Sequence, residues 1–274
     1  MPAPVQPFTP STHLIEKGLS GYDHVAGSKC AHTHMLPTVL ITSAIAPPAN
    51  TPMLGMTDRN VRAITTKAAI YFWVGQGQKN IVICDSTGSS VLSDEELSSI
   101  RKLHIGIEQI AFRQDDALVV TRGKAFAEGE LIKFALANSE LLTKSGHFFK
   151  CTGKMFCRNF ASICDLIATH NISNMFWKLY EHSLVDRNLV DARFFYTSIV
   201  DFHRFVLPAY AASSESQIVE YQLSLSLNSN LSKGAGRRPL LSGFSGGLGE
   251  QCQEYYLGDL DLTYPCWYSL RQSK

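Results

Sequence analysis

The chain has 274 residues, of which 45% are hydrophobic and 18% charged, with 19 glycines and 11 prolines. These values exclude a disordered or collagen-like chain, and the length is ample for a sizeable core without metal or disulfide staples. Lys and Arg number 25 against 24 Asp and Glu, a formal charge of +1, so no global positive field draws in nucleic acid and none is expected as a partner.

Seven cysteines (Cys30, Cys84, Cys151, Cys157, Cys164, Cys252, Cys266) form an odd set, several of them in apolar runs, which reads as buried reduced thiols rather than a secreted framework. The N-terminal stretch MPAPVQPFTPSTHLIEKG lacks a basic region followed by an apolar core, and no apolar run approaches the roughly 20 residues that cross a bilayer. The expectation is a cytoplasmic protein whose membrane contact is at most peripheral.

Residues 1–36, punctuated by Pro, Gly and His, read as an irregular arm, and 37–274 as one domain. TVLITSAI at 38–45 is a β-branched strand stopped by Pro47 and Pro48. Thr57 or Asp58 caps a helix through VRAITTKAAIYFWVGQG, with Val61, Ile64, Ala68 or Ala69, Phe72 and Trp73 at helical spacing. NIVICD at 80–85 is a second strand, SDEE from Ser93 a capped helix start, and LHIGIEQIAF at 103–112 contains a third strand. Alternating strands and helices predict an α/β fold with a mostly parallel, Rossmann-like central sheet, whose ligands lie beyond the carboxyl ends of the strands.

The second half is more elaborate. Lys124 to Ser139 is helical in composition despite Gly129, and HFFKCTGKMFCRNF at 147–160 reads as a β-hairpin-like or strand-turn-strand segment around Thr152-Gly153. NMFWKLYE reads as a strand. The aromatic segment from Asp191 reads as helical up to the residue before Pro208, SESQIVEYQLSLSLNS as a helix, and KGAGRRP as a basic connector before the glycine-rich LLSGFSGGLGE.

Several constellations carry chemistry. Thr42, Ser43 and Ala44 end the first strand and Asp85 the second; as neighbours they would form a crevice where small residues admit a base and the carboxylate accepts from a ribose hydroxyl or base N–H. A turn or helix cap is the competing role for Asp85. Arg122-Gly123-Lys124 and Lys150-Cys151-Thr152-Gly153-Lys154 are basic clusters able to neutralise a diphosphate, with Gly153 permitting close backbone approach; Lys124 is equally at home on a solvated face. Glu128 and Lys124, four apart, suit a helical ion pair, and Gly129 beside them hints at close packing or a helix start shifted towards it. Asp191 suits a helix N-cap, yet Asp191 and Glu128 are also the carboxylates expected to serve as general base. The histidines and cysteines have no metal-ligand spacing, and no P-loop or dinucleotide fingerprint occurs.

The blocks TSAIAP (42–47), ICDSTG (83–88), RGKAFAEGELI (122–132), FFKCTGKMFCRN (148–159), DARFFYTS (191–198) and SGFSGGLGE (242–250) together resemble a bacterial surface-polysaccharide glycosyltransferase of GT-A-like architecture, of the capsule or O-antigen type. The resemblance implies a nucleotide-sugar donor held by residues 37–160 and a glycan or lipid-linked acceptor facing 161–274, with peripheral contact at the inner membrane. It implies Ser43 and Asp85 as nucleoside contacts and Lys124, Lys150 and Lys154 near the phosphates. One departure stands out. Such enzymes carry Asp-x-Asp for a metal at the end of a central strand, whereas this chain has Lys-Cys-Thr-Gly-Lys there; Asp259-Leu260-Asp261 reads as a turn, and Asp115-Asp116 lacks the intervening residue. Cationic side chains stabilise a leaving diphosphate without a metal, so transfer with no cofactor is favoured over Mg²⁺ or Mn²⁺ dependence. Another nucleotide-binding enzyme on an α/β scaffold, such as a nucleotidyltransferase or reductase, and a noncatalytic carbohydrate-binding or assembly protein are the alternatives.

Overall fold

The computed structural model describes residues 37–51, 54–179, 188–214, 217–244, 251–253 and 263–271. The arm at 1–36, Asp259-Leu260-Asp261 and most of the glycine-rich stretch 242–250 lie outside them. Three short apolar runs form parallel neighbours: β1 (Thr38–Ser43), β2 (Asn80–Asp85) and β3 (Gly106–Ala111), with Ser43 opposite Asp85 and Cys84 opposite Ile110. Every residue of β1 is buried, because helices cover both faces of the sheet, and continuous apolar text rather than alternation is the result. The crossovers are α1 (Arg59–Gly75), capped by the Asp58 side chain, and α2 (Asp94–Arg101), whose Ser93 and Glu96 form a capping box.

Helix α3 (Asp116–Asn138) and short α4 (Glu140–Ser145) lead into β4 (His147–Thr152), which pairs in parallel with the other side of β1. Past it come β5 (Met155–Cys157), α5 (Phe160–Thr169), β6 (Ile172–Lys178) and β7 (Val190–Ser198). A short α6 (Ile199–Asp201), a π-helical turn at Phe202–Val206 and α7 (Leu207–Ala212) follow, then α8 (Val219–Asn230), β8 (Ser232–Arg237), β9 (Leu241–Phe244), β10 (Gln251–Gln253) and β11 (Thr263–Leu270). Among the described residues the large sheet has eight strands in the order β3-β2-β1-β4-β7-β6-β11-β8, and β10-β9-β5 make a small second sheet. Of these described strands in the large sheet, only β7 and β11 run against the common direction. The α/β architecture and the parallel set 38–45, 80–85 and 103–112 are thus as the sequence predicts.

Alternate strand residues feed two core layers. Val39, Ile41, Ile83 and Phe149 meet Ile70 and Trp73 of α1 on one face. Leu40, Val82 and Phe148 meet Leu131 and Ile132 of α3 and Leu223 of α8 on the other. No described helix is long and apolar enough to cross a membrane.

Four readings need correction. The segment from Asp191 is a strand before it is a helix: Phe194 and Tyr196 enter one core layer, Ala192 and Phe195 the other, and this two-sided burial between β4 and β6 overrides any helical tendency. Of the two readings of 147–160, strand-turn-strand holds and the hairpin does not, because β4 and β5 join different sheets. KGAGRR is edge strand β8 rather than a connector. In α1 the inward face holds Arg62, Thr66, Ala69, Ile70 and Trp73, while Val61 and Ile64 point outward, because Arg62 is turned inside to hydrogen-bond the preceding loops.

Candidate functional site

The register gathers the expected residues at one end of the sheet. Thr42 lies opposite Thr152, Ser43 opposite Asp85, and antiparallel β7 brings its first residues to the same end. The turn after β4 folds directly over the end of β1: a Cβ on Gly153 would lie 3.2 Å from Ser43 Cα and collide with the Thr42 carbonyl oxygen, so only glycine fits.

Lys150 is wholly buried, its stem passing through the layer on the α3 side of β4. Its ammonium is caged by Glu128 Oε1 at 2.8 Å, Ala192 O at 2.7 Å and Thr152 Oγ1 at 3.0 Å. Those three acceptors match the three N–H bonds of an ammonium. Glu128 Oε1 also accepts from Thr42 Oγ1 at 2.7 Å. Glu128 therefore pairs with Lys150 across the sheet, not with Lys124 along its helix as the spacing suggests. Gly129 is explained by the same packing: a Cβ there would stand 2.6 Å from Cβ of Tyr210.

Lys154, in the turn, is the opposite case. It is 3% exposed, and no described group accepts a hydrogen bond from its ammonium. Burial, reinforced by the nearby Arg62 charge and only partly offset by Asp85 and Glu128, brings its pKa down to about 7. Burial and the field of Arg62 likewise lower Lys124, with Glu220 opposing. Arg62 is itself lowered by burial, against the pull of Asp85, and donates through Nε to Ala44 O at 2.6 Å and through Nη1 to Met56 O at 2.8 Å. The charge of Arg62 thus bears on both Lys124 and Lys154 beyond the ends of β1 and β4. An anion placed beside Arg62 and Lys154 gains from their charges.

Asp85 is fully buried and accepts from the backbone N–H of Ile45 at 2.9 Å, of Thr87 at 2.9 Å and of Ser89 at 3.2 Å, and from the Thr87 hydroxyl. It ties the loops after β1 and β2 together. Ser43, by contrast, has a buried hydroxyl with no hydrogen-bond partner.

Asp191 does not cap a helix. It stands in β7, and Arg193, two residues on, covers both its oxygens: Nε to Oδ1 at 2.8 Å and Nη2 to Oδ2 at 2.7 Å. Glu220, in the first turn of α8, has its pKa raised by burial and by the charges of Asp191 and Glu128, with Lys150 opposing. Tyr210 is raised well above its ordinary value by burial, Glu128 and Glu220. Arg62, Glu220 and Tyr210 are site residues that sequence reasoning missed. The signal for Arg62 was available as a charged residue interrupting the inward stripe of an otherwise apolar helix face.

The residues at the end of β4 do not fit a divalent cation. Glu128 Oε1, Thr152 Oγ1 and Ala192 O already converge on the Lys150 ammonium, and Asp115 is engaged as the α3 N-cap. Among the described residues no group of three or more His, Cys, Asp or Glu is placed to hold a metal. Cys84, Cys151, Cys157, Cys164 and Cys266 are buried free thiols.

No protein-family model matches the chain. No curated protein matches it either. Among solved structures, a nucleoside-diphosphate-sugar pyrophosphorylase from Vibrio cholerae is similar at 10% identity over 70% of this chain and 88% of that one, with a TM-score of 0.38. A mannose-1-phosphate geranyltransferase from Thermus thermophilus is similar at 8% identity over 70% of this chain and 68% of that one, with a TM-score of 0.30.

Proposed function

We propose that this chain is a glycosyltransferase that uses a nucleotide-sugar donor and no metal ion, acting in surface-polysaccharide synthesis. The observation that carries the reading is Lys154: a side chain only 3% exposed whose ammonium has no hydrogen-bonded partner among the described residues and lies within the field of the Arg62 and Glu128 charges. A buried charge left in this state is destabilising unless a ligand completes it, and a diphosphate supplies the missing negative charge.

The donor's diphosphate lies against Arg62, Lys124 and Lys154, its nucleoside over the small residues Ser43 and Ala44. The Asp85 carboxylate is occupied, so it supports this pocket through its loops. The acceptor oxygen attacks the anomeric carbon as the bond from that carbon to the diphosphate oxygen breaks. Negative charge builds on the leaving group, where the cations stabilise it more in the transition state than in the ground state. The acceptor proton passes to a carboxylate. Glu128 is better placed than Asp191: its side chain is 24% exposed against 7%, and Lys150 and Thr42 hold only its Oε1, whereas Arg193 covers both oxygens of Asp191. Lys150, all its N–H bonds engaged, orients Glu128.

The test is release of nucleoside diphosphate from a panel of nucleotide sugars, with and without glycan acceptors, in the presence of chelator. Acceptor-stimulated release, lowered at least about 10²-fold in E128Q and far less in D191N, is expected. A protein that binds neither nucleoside diphosphates nor pyrophosphate overturns the reading, and release of pyrophosphate in place of nucleoside diphosphate identifies nucleotidyl transfer instead.

A further inference from the structure

A cavity of about 330 Å³ opens at the end of the large sheet away from Lys154, among the first residues of β6, the last of β11, the π-helical turn and the end of α8. That volume lies at the low end of the range of small-molecule sites. β7 runs from Asp191 to Ser198, which bonds the cavity residue Asp201, a rise of about 23 Å along the strand. The cavity is therefore separate from the site described above.

Among the described residues its charged lining is Asp201 and Arg204. They are three apart, a spacing at which an α-helix lets opposite charges pair, yet no ion pair joins them. The turn between them is π-helical, and its wider winding carries Arg204 further round the axis than α-helical spacing would. Half-buried Asp201 is held on one side: its Oδ2 accepts from Asn174 Nδ2 at 2.7 Å and Ser198 Oγ at 2.9 Å, while no described group donates to Oδ1. The exposed Arg204 guanidinium donates to no described acceptor. Phe205, Leu231 and Leu270 supply apolar wall beside the two charges. An anion on Arg204 would meet the Asp201 carboxylate, and a cation on Asp201 would meet the guanidinium. A ligand carrying both charges answers both groups.

We propose that this cavity binds a small zwitterion of the amino-acid type, its carboxylate on the Arg204 guanidinium, its ammonium on Asp201 Oδ1 and its carbon chain against Phe205 and Leu270. The small volume confines the ligand to a single amino acid or one of similar size. Asn174 and Ser198, by engaging Oδ2 alone, fix the direction in which Oδ1 meets the ammonium. The proposal uses no residue of the diphosphate site and stands or falls apart from the glycosyl-transfer reading.

Saturation-transfer NMR and calorimetry at pH 7 on the full chain test this, with glycine, alanine, serine, valine, leucine, β-alanine and γ-aminobutyrate as probes, the last two varying the distance between the charges. The N-acetyl and methyl-ester derivatives of each probe keep only the carboxylate or only the ammonium, and inorganic phosphate serves as a simple anion. At least one zwitterion is expected to bind, with its two derivatives and phosphate at least about fivefold weaker, and R204Q should lower its affinity at least about fivefold. Arg204 is exposed, so R204Q leaves folding intact, verified by circular dichroism. Binding of no zwitterion, equal binding of a derivative or of phosphate, or an affinity unchanged in R204Q overturns the proposal. Pyrophosphate titrated into the same samples reads the Lys154 end separately, so the failure of either site is seen without the other.

Discussion

The two ends of the large sheet handle buried polar groups in opposite ways. At the end away from the cations, Asn174 is 1% exposed and both ends of its amide are answered: Nδ2 donates to Asp201 Oδ2 and Ser269 Oγ, each at 2.7 Å, and Oδ1 accepts from Thr197 Oγ1 at 2.6 Å and Ser198 N at 3.1 Å. Asp201 is bound in turn by Ser198 Oγ at 2.9 Å. At the other end no described group accepts a hydrogen bond from Lys154, Ser43 Oγ is unanswered, and the Arg62 charge bears on Lys154. A satisfied network stabilises the fold; an unsatisfied one stores free energy that a ligand releases. Lys150, caged four residues before Lys154, shows that the contrast is one of partners and not of residue type.

Substitutions break the comparison in a definite order. K150A strips a buried ion pair of its cation and strands Glu128, so a loss of about 3–5 kcal/mol in stability by denaturant titration is expected. K154M, at a comparable depth, should do the reverse: melting no earlier than wild type, with nucleoside diphosphate affinity by calorimetry falling about 10–100-fold. Should K154M destabilise as K150A does, the two lysines are equivalent and the contrast fails. N174A should cost about 2–3 kcal/mol of stability and leave diphosphate affinity unchanged.

The smallest effect is the pH dependence of the empty site. In the folded chain Lys154 is charged below about 7, and its ordinary value is 10.5. Between those values the unfolded chain holds the extra proton, so this lysine makes stability rise with pH through that window. Diphosphate binding needs the ammonium, so affinity should fall above pH 7 by up to about tenfold per unit, with proton uptake seen when calorimetry is repeated in buffers of different ionisation enthalpy. Binding without proton uptake at pH 8 would show that Lys154 is already charged in the empty protein.

The strands of the parallel half were legible because each is a short β-branched run closed by turn residues, and the caps at Asp58 and Ser93 work as their side chains dictate. The β7 segment was not, since burial on both faces removes the alternation that distinguishes a strand from an aromatic helix. For the site, Thr42, Glu128, Lys150, Thr152 and Gly153 do meet, but the Lys150–Glu128 pair spans 22 residues of chain and depends on α3 crossing back over β4, which local spacing does not encode. Glu220 joins them only through the packing of α7 and α8.

Helix α3 is interrupted at Gly123, whose φ of 84° and ψ of 167° end one helical piece before the next begins. The break separates two rotational phases. A residue inserted before Gly123 changes only the first piece, whereas one inserted between Gly123 and Glu128 turns the carboxylate by about 100° around the axis relative to the new helix start. The aim of Glu128 at Lys150 is therefore set by five residues of helix rather than by the whole of α3, and a change in length within 116–122 does not by itself rotate the charge pair.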